Sequence, residues 1–361
     1  MKVLFVTSNI SFRSGVASVL MNYIRNINKN IFSISILYYD LVDSPSYEKE
    51  LLSLGVKLYH VSRRRFISNL KKFCHEHFGE FDIIHVNDPY LAFCFIGIKK
   101  SLGVKKVIFH THSTKFSDTK IKGVRNALLS IPARYISDEL FACSKIAGKK
   151  TFGKRFSKKG TVIYNAIDLE KYSFNIDERL KIRAELNVNG LEIIGHVGNM
   201  TPPKNHFFII DIFEKYHNAH PNSILLLIGD GYLRQEIMHK IENKGLKECV
   251  IFTGVVPNVY SYMNAMDKFI FPSLFEGLGI VMVEAQTNGL NCLFADTVPV
   301  EANLSSCSNI KLSLKNNADN WADKLNELES RKNESVLCDL YDIKKASLRL
   351  EEIYEDILDE K

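Results

Sequence analysis

Two successive series of short apolar runs are the feature of this sequence that most restricts its fold. The first series is KVLFVTS (2–8), SISILYY (33–39), VKLYHV (56–61), DIIHV (82–86) and KVIFHTH (106–112). The second is EIIGHVGNM (192–200), SILLLIGDG (223–231), CVIFTGV (249–255), KFIFPS (268–273) and NCLFAD (291–296). Strands that alternate with helical segments predict parallel sheets with helices on both faces. Two such series predict two doubly wound α/β domains, with a boundary near Asp168.

Length and composition agree with this prediction. A chain of 361 residues is too long for one ordinary core. Its 46% hydrophobic and 24% charged residues are typical of a globular protein. No apolar run reaches the roughly 18 to 20 residues that a bilayer span needs, and MKVLFVTSN has the pattern of a strand and not of a signal peptide. Seven cysteines without a C-x-x-C pair favour reduced thiols in a cytoplasmic protein over disulfides or a zinc site.

The charge is divided unevenly along the chain. Residues 1–172 contain 28 Lys and Arg against 13 Asp and Glu, a net charge of +15, whereas the remainder contains 19 against 28, a net charge of −9. A basic half indicates an anionic partner such as a membrane surface or a phosphate-bearing substrate, and a merely solubilising surface is the alternative. The sequence has no signature of a nucleic-acid-binding module, so nucleic acid is not expected as a partner.

Two basic segments of this half are candidates for contact with an anionic membrane. They are SRRRFISNLKKF (62–73) and KKTFGKRFSKK (149–159). In the first segment, Phe66, Leu70 and Phe73 would form the apolar side of a helix. We therefore expect a peripheral, salt-sensitive association with the inner face of the cell membrane, without a spanning segment.

In the first domain, Gly15 and two histidines follow predicted strands, and in doubly wound folds ligands bind at the carboxyl ends of the strands. Gly15 opens a helix, where a glycine permits close approach of a ligand and helix amides attract phosphate. A purely structural glycine is the alternative. His110 and His112 are two apart on one strand and therefore face the same side. His112 is the one at the carboxyl end, and a metal pair or a structural histidine remain alternatives.

In the second domain, Lys204 and two glutamates follow strands. Lys204 in GNMTPPKNH would add a cation to helix-end amides, which suits a diphosphate. FPSLFEGLGIVMVEA places Glu276 in a loop and Glu284 inside the next helix. A buried carboxylate is costly unless it is hydrogen-bonded, and a ribose diol offers two donors. The alternative is that Glu284 pairs with a cation and Glu276 is merely exposed.

These motifs resemble the family 4 glycosyltransferases over nearly the whole chain. FPSLFEGLGIVMVEAQTNGL is similar to the family signature P-S-x-x-E-G-x-x-x-x-x-x-E-A. VIYNAIDLEKY resembles its interdomain element, with Ala166 in place of the usual glycine, and SILLLIGDG resembles its L-x-I-x-G-x-G strand. The tail YDIKKASLRLEEIYEDIL is similar to its closing helix, and KNHFFIIDIF resembles bacterial members that build capsules and exopolysaccharides.

The resemblance implies a GT-B fold, in which two Rossmann-like domains face each other across a cleft. Residues 1–168 would form the acceptor-side domain and residues 169–340 the nucleotide-sugar donor domain. Residues 341–361 would form a helix that crosses back to the first domain.

The resemblance also implies roles for individual residues. Glu276 would bind the hydroxyls of the donor sugar, together with the amides of Leu278, Gly279 and Ile280. Glu284 would bind the ribose, and Lys204 the diphosphate with help from Gly15. His112 would contact the sugar near the reacting carbon, and the backbone around Val256 would read the base. Asn199 stands where the family usually has an arginine, which leaves more of the phosphate charge to Lys204 or to a compensating cation such as Arg13.

The implied activity is retaining transfer of a hexosyl or N-acetylhexosaminyl group from a nucleotide-sugar, with UDP as the expected nucleotide. The acceptor would be a glycan or a lipid-linked sugar in surface polysaccharide biosynthesis. The chain has no D-x-D motif, and we expect neither a metal nor another cofactor. Two alternatives are a nucleotide-sugar epimerase of the same fold and a basic anion-binding module without catalytic activity.

Overall fold

The computed structural model describes residues 1–42, 45–117, 119–304 and 307–359. Its strands are β1 (Lys2–Thr7), β2 (Ser33–Tyr38), β3 (Lys57–His60), β4 (Ile83–Val86), β5 (Lys106–Thr111), β6 (Glu139–Ala142), β7 (Gly160–Val162), β8 (Glu192–Val197), β9 (Ser223–Ile228), β10 (Val250–Gly254), β11 (Lys268–Phe271), β12 (Cys292–Ala295) and β13 (Ile310–Leu312).

The α-helices are α1 (Gly15–Asn26), α2 (Glu48–Ser53), α3 (Phe66–Glu76), α4 (Ile98–Leu102), α5 (Lys120–Ser130), α6 (Ala133–Ile136), α7 (Lys145–Phe152), α8 (Lys154–Lys159), α9 (Leu169–Tyr172), α10 (Ile176–Glu185), α11 (His206–Ala219), α12 (Arg234–Asn243), α13 (Val259–Ala265), α14 (Ile280–Thr287), α15 (Ala318–Glu327) and α16 (Ile343–Asp359). Short 3-10 helices include Pro89–Phe95 and Pro202–Lys204.

The strands form two parallel sheets, as the sequence predicts. In the described part of the chain, the first sheet has the order β3-β2-β1-β4-β5-β6-β7 and the second the order β10-β9-β8-β11-β12-β13. The strand order reverses between β1 and β4 in the first sheet and between β8 and β11 in the second. Such a reversal opens a crevice beyond the carboxyl ends of the two neighbouring strands. Functional side chains are therefore expected after β1, β4, β8 and β11.

The continuous apolar runs reflect sheets that are covered on both faces. In β1, Val3 and Phe5 pack into a cluster on one face with α1 and α16, whereas Leu4 and Val6 pack into a cluster on the other face with α3. Burial on both faces explains why these strands lack the alternation of apolar and polar residues that marks a half-exposed strand.

The chain divides into two compact units, which are residues 1–167 with 340–361, and residues 168–339. The closing helix α16 belongs to the first unit. Its Glu351 Oε1 accepts a hydrogen bond of 2.8 Å from the amide of Asn28, and the Tyr354 hydroxyl lies 2.7 Å from Nδ1 of His85. The segment predicted as 341–361 thus lies against the first unit as far as residue 359, and its last two residues lie outside the described residues.

The basic segment 62–73 differs from its predicted arrangement. The sequence pattern predicts that Phe66, Leu70 and Phe73 offer an apolar side to a membrane, but Leu70 and Phe73 are buried in the core and Phe66 packs against it. The helix α3 turns its apolar side toward the sheet because the sheet needs a cover on that face. Segment 149–159 likewise buries Phe152 and Phe156, and it exposes its basic residues.

The described residues include no helix that is both long enough and apolar enough to span a bilayer.

Candidate active site

A lysine and a glutamate meet at the strand reversal of the second sheet. Lys204 ends the 3-10 helix that follows β8, and Glu276 lies in the loop that follows β11. Lys204 Nζ is 2.6 Å from Glu276 Oε1, and the two side chains are only 18% and 13% exposed. Two hydrogen bonds hold the loops together: the Leu274 amide donates to the Pro203 carbonyl (2.8 Å), and Asn205 Nδ2 donates to the Pro272 carbonyl (3.1 Å).

The path of the Lys204 side chain depends on a glycine. A Cβ atom at Gly198 would lie 3.0 Å from Cγ and Cδ of Lys204, so a larger residue would have to displace the lysine. The ammonium group lies 5.0 Å from the ring centroid of Phe271, a distance that permits a cation–π contact. The lysine is therefore held in position by its surroundings on three sides.

The loop that carries Glu276 ends in a glycine that its conformation requires. Gly279 has a φ of 87°, in the left-handed region, and a Cβ there would lie 3.3 Å from Phe271 and Val298. The helix α14 begins directly after it at Ile280. The first amides of a helix have no acceptor within the helix, so this end can donate hydrogen bonds to an oxygen-rich ligand. Leu278, which precedes the glycine, is buried at 1% exposure.

Glu284 lies in α14 and is 7% exposed. Burial raises the pKa of its carboxyl group to about 7, and a hydrogen bond with the Tyr172 side chain and the nearby charge of Lys204 offset part of this increase. At neutral pH the ligand-free protein therefore holds a mixture of the neutral acid and the carboxylate. A ligand that donates hydrogen bonds to the carboxylate would favour the ionised form. Lys204, Glu276 and Glu284 form one group of interacting charges, which we call the donor cluster.

Two further predicted residues follow other strand ends of the same sheet. Asn199 comes after β8, where its carbonyl accepts a hydrogen bond of 2.7 Å from the Thr201 amide. The next residue, Met200, donates its amide to the carbonyl of Asp230 at 3.0 Å, which ties this loop to the one after β9. Val256 is half-buried in the loop after β10.

In the first unit, His112 follows β5, next to the strand reversal. Its Nε2 lies 2.8 Å from Oδ1 of Asn87, which follows β4, and the Nδ2 of Asn87 donates to the Val6 carbonyl on β1 at 3.2 Å. Burial lowers the pKa of His112 to about 4, against a smaller opposing effect of the Asn165 side chain, so the imidazole is neutral at physiological pH. Its buried Nδ1 makes no well-formed hydrogen bond within the described residues. Asn87 therefore fixes the position of His112 and its tautomer, in which Nε2 carries the proton.

His110 has a structural environment. It is 4% exposed, its Nδ1 lies 3.1 Å from Nε2 of His85, and His85 in turn contacts Tyr354 of α16. Among the described residues, no group of three or more His, Cys, Asp or Glu side chains could hold a metal ion. The alternative of a structural histidine therefore describes His110 better than it describes His112.

A hydrogen-bonded group that includes Asp88, directly after Asn87, was not predicted from the sequence. The Tyr39 hydroxyl donates to Oδ2 of Asp88 at 2.8 Å and lies 2.6 Å from the Tyr90 hydroxyl. Burial raises the pKa of Asp88 to about 6. Asn87 and Asp88 directly follow the strand DIIHV, so the rule used for His112 could have identified them. Tyr172 was also missed, although it ends the motif VIYNAIDLEKY.

Gly15 is the first residue of α1, and the Ser14 hydroxyl caps this helix by accepting the Ala17 amide at 3.2 Å. A Cβ atom at Gly15 would meet no atom within 4 Å. The fold itself therefore does not require glycine at this position, and the space above it is open for a ligand.

Two protein-family models match the chain. Residues 13–171 match "Glycosyltransferase Family 4", and residues 178–341 match "Glycosyl transferases group 1". The putative glycosyltransferase EpsF of Bacillus subtilis (strain 168) is 31% identical over 329 residues, which are 86% of this chain and 84% of EpsF. The chain belongs to the family 4 glycosyltransferases.

Two other relatives of this glycosyltransferase are named for a diphosphoundecaprenol-linked acceptor and for capsular polysaccharide biosynthesis. The UDP-Gal:alpha-D-GlcNAc-diphosphoundecaprenol alpha-1,3-galactosyltransferase of Escherichia coli is 27% identical and aligns with 70% of this chain and 64% of its own length. The capsular polysaccharide biosynthesis glycosyltransferase CapH of Staphylococcus aureus is 24% identical over 85% of this chain and 86% of its own.

Among solved structures, Anabaena Alr3699/HepE in complex with UDP and glucose superposes with a TM-score of 0.77 at 16% identity, and 99% of each chain is covered. The fold is therefore GT-B, as the sequence resemblance implied. The predicted activity, glycosyl transfer, is also confirmed, and the alternative of an epimerase finds no support among these relatives. The roles of individual residues stay predictions.

Proposed function

We propose that this glycosyltransferase moves a sugar from a UDP-sugar to a lipid-linked glycan acceptor during surface polysaccharide assembly, at the cytoplasmic face of the membrane. The E. coli relative, whose name specifies a UDP-sugar donor and a diphosphoundecaprenol-linked acceptor, and the capsular relative support this proposal. The observation that carries it is the donor cluster, in which one cation and two carboxylates meet beyond the carboxyl ends of β8 and β11.

The donor cluster offers each part of a nucleotide-sugar a suitable group. Lys204 binds the diphosphate, because an ammonium group beside helix-end amides stabilises phosphate charge. Glu284 accepts hydrogen bonds from the ribose diol, and Glu276 accepts them from hydroxyls of the sugar. In the ligand-free protein Lys204 and Glu276 neutralise each other at 2.6 Å. A diphosphate competes with Glu276 for the lysine and so releases this carboxylate for the sugar.

The proposed transfer retains the anomeric configuration. The acceptor oxygen attacks the anomeric carbon on the face from which UDP departs, and the bond between that carbon and the phosphate oxygen breaks. The acceptor proton passes to the departing phosphate oxygen, so no side-chain base is required. The protein orients the two substrates and stabilises the charge on the leaving diphosphate. Neutral His112 contributes a hydrogen bond to the sugar through its Nδ1, and we propose that no divalent metal takes part.

A thermal-shift screen tests the choice of donor. UDP, GDP and ADP, free and with attached sugars, would be compared with and without a chelator. A nucleotide present at 100 times its dissociation constant should stabilise the folded state by about 2.7 kcal/mol. Stabilisation by UDP that the chelator leaves unchanged is the expected result.

A product assay with and without acceptor then tests the reaction. Transfer to a lipid-linked acceptor is expected, and the new linkage should keep the anomeric configuration of the donor. Stabilisation by GDP or ADP in place of UDP would overturn the donor assignment. An isomerised donor sugar formed without acceptor would overturn glycosyl transfer itself.

A further inference from the structure

The helix α5 of the first unit packs with its polar side inward. Asn126 and Ser130 are 8% and 1% exposed, whereas Ile121, Val124 and Leu128 are 86%, 64% and 61% exposed. The buried polar groups are satisfied locally: Asn126 Nδ2 donates to the Phe116 carbonyl at 2.8 Å, and the Ser130 hydroxyl donates to the Asn126 carbonyl at 2.7 Å. A surface helix normally has the opposite arrangement.

The exposed apolar residues form one stripe. Positions 121, 124 and 128 are separated by three and four residues, so they lie on one face of the helix. The backbone stays in the right-handed helical region through Ile131 and Pro132 and then enters α6. Ile131 and Tyr135 continue the same spacing and are 38% and 73% exposed. The stripe therefore extends over about four helical turns.

The 3-10 helix Pro89–Phe95, against which α5 packs, adds more exposed apolar surface. Phe93 is 56% exposed, and Ile96 directly after this helix is 57% exposed. Single exposed apolar residues are common on soluble proteins, but a set of this size on neighbouring elements is typical of an interaction surface.

The charge around the stripe is positive. Between Ser113 and Ser137 the sequence has five Lys and Arg and one acidic residue, Asp118, which lies outside the described residues. Lys122 and Arg125 are exposed on one flank of the stripe. An apolar stripe with basic residues beside it is complementary to an anionic lipid surface, where the apolar side chains enter the boundary between headgroups and acyl chains and the cations stay at the headgroups.

The basic segments 62–73 and 149–159 lack this combination. The helix α3 buries Leu70 and Phe73, and the pair α7–α8 buries Phe152 and Phe156. Both can supply long-range attraction, but neither has an apolar face to insert. Of the three basic segments, residues 113–137 expose the largest set of apolar side chains, whereas Ile67 of α3 and Ile146 of α7 are single exposed residues, each 49% exposed.

We infer that the exposed face of residues 121–135, with Ile121, Val124, Leu128, Ile131 and Tyr135, is a docking surface for an anionic bilayer, on which α5 lies parallel to the membrane plane. This inference rests on the proposed lipid-linked acceptor, because docking brings the first unit to the surface in which such an acceptor is anchored. It differs from the expectation based on the sequence in assigning the contact to residues 121–135 rather than to the basic segments 62–73 and 149–159.

Vesicle co-sedimentation tests the inference. The probes are vesicles of phosphatidylglycerol with phosphatidylcholine, and vesicles of phosphatidylcholine alone. The triple variant Ile121→Ser, Val124→Ser, Leu128→Ser should lower the partition coefficient onto anionic vesicles by about tenfold or more. The control variant Leu52→Ser, Leu348→Ser removes exposed apolar residues on α2 and α16, which are 56% and 61% exposed. It should bind as the unaltered protein does.

Salt separates the contributions of charge and insertion. Reversing the charge at Lys149, Lys150, Lys154, Arg155, Lys158 and Lys159 should weaken binding at low salt only partly, whereas the triple variant should lose binding at both low and high salt. Equal binding by the triple variant and the unaltered protein would overturn the inference. If the sixfold charge reversal abolished vesicle binding and the triple variant had no effect on it, the membrane contact would lie on α7 and α8 and not on α5.

A fluorescent probe measures insertion without depending on the triple variant. Trp321, the chain's single tryptophan, is fully buried in the second unit. The indole introduced by Leu128→Trp should be quenched by brominated anionic lipids, whereas the unaltered protein should show no quenching. Absence of quenching in a variant that sediments with vesicles would contradict insertion at α5.

Two measurements distinguish bilayer docking from self-association and from a defect in donor binding. A lipid-free dimer that the triple variant dissociates would identify the stripe as an interface between copies of this chain and would overturn bilayer docking. Stabilisation by UDP should be the same in the triple variant and the unaltered protein, because the donor cluster lies in the other unit. If UDP stabilises neither the triple variant nor the unaltered protein, this result contradicts the proposed donor. The result of the vesicle experiment would still stand.

Discussion

The two strand reversals of this protein differ in the kind of polar group that they hold. In the second unit, Lys204 and Glu276 form an ion pair beside the buried Glu284. In the first unit, His112 follows β5, the strand beside the reversal, and burial keeps its imidazole neutral. The proposed function uses this difference: the second unit would bind the charged diphosphate, and the first unit would offer hydrogen bonds to uncharged hydroxyls.

The net charge of each half differs from the charge of the polar groups at its strand ends. The half with a net charge of +15 presents a neutral histidine beside its strand reversal, and the half with a net charge of −9 holds the half-buried Lys204. The surplus of basic residues lies on surface helices such as α7 and α8. Net charge therefore indicates what approaches the surface of each half, and it does not indicate what binds in the crevice.

The largest effect on catalysis is expected at Lys204. Lys204→Ala should lower kcat/KM for the donor roughly 30-fold or more, which corresponds to about 2 kcal/mol, because the diphosphate loses its cation. Lys215→Ala is the matched control, since Lys215 is 46% exposed and pairs at 3.3 Å with the exposed Asp319. Steady-state kinetics would measure both variants, and similar losses would contradict the assignment of Lys204.

Ionisation of Glu284 should lower the stability of the ligand-free protein and strengthen nucleotide binding. Its folded pKa of about 7 lies above its usual value of 4.5, so the ligand-free fold binds this proton more tightly than the unfolded chain does. Stability of the ligand-free protein should therefore fall as the pH rises from 4.5 through 7. Glu284→Gln should remove this decline and raise the free energy of unfolding at pH 8 by up to about 3 kcal/mol.

Calorimetric titration with UDP checks the other half of that prediction. Nucleotide affinity should increase with pH up to about 7 and then level off, because the ribose favours the carboxylate. A pH profile of affinity that is the same in Glu284→Gln and the unaltered protein would mean that another group titrates.

A smaller effect is expected at Asn199. Asn199→Arg should tighten UDP binding by about 1 kcal/mol, or roughly fivefold, if the second phosphate lies near this loop. Unchanged affinity would mean that another cation, such as Arg13, already serves that phosphate. The double variant Asn199→Arg, Arg13→Ala distinguishes these cases, because the added arginine should then restore the affinity that Arg13→Ala removes.

The smallest effect is expected at Gly15. Gly15→Ala should leave the melting temperature nearly unchanged, since its Cβ meets no atom within 4 Å, and should lower donor turnover only modestly. Gly279→Ala is the contrast, because Gly279 has a φ of 87° and a Cβ there would strain the backbone by about 1 kcal/mol or more. Equal stability losses in the two variants would show that Gly15 is structural.

Much of the fold could be predicted from the sequence because buried parallel strands are continuous apolar runs. β1, β5, β8 and β9 fall within the predicted segments. β13 was missed: it has three residues, is only partly buried and pairs with β12 alone, so it has no long apolar run. Which side of α5 is buried could not be predicted from the sequence either. The burial of Asn126 and the exposure of Ile121 depend on which surface the rest of the fold leaves uncovered.

The candidate site could be predicted in part because the predicted strands also locate the strand ends. Lys204, Glu276 and His112 were identified because each follows a strand, and ligands bind at strand ends. The ion pair between Lys204 and Glu276 could not be predicted, because these residues are 72 positions apart and meet only where β8 lies next to β11. The order of strands in a sheet is not encoded in any single segment. The pKa of Glu284 depends likewise on Tyr172 and on burial that the sequence does not specify.

The proposed donor site is tested best by comparing Glu276→Gln with Glu284→Gln, through calorimetric titration of free UDP and turnover of the UDP-sugar. We predict that Glu284→Gln weakens UDP binding by about 1.5 to 3 kcal/mol, since it loses a charge-assisted hydrogen bond to the ribose. Glu276→Gln should not weaken UDP binding, because it removes only the carboxylate that competes with the diphosphate for Lys204, and it should lower kcat because the sugar loses a contact. An equal loss of UDP affinity in both variants would contradict the division of the donor cluster into a ribose-binding and a sugar-binding carboxylate.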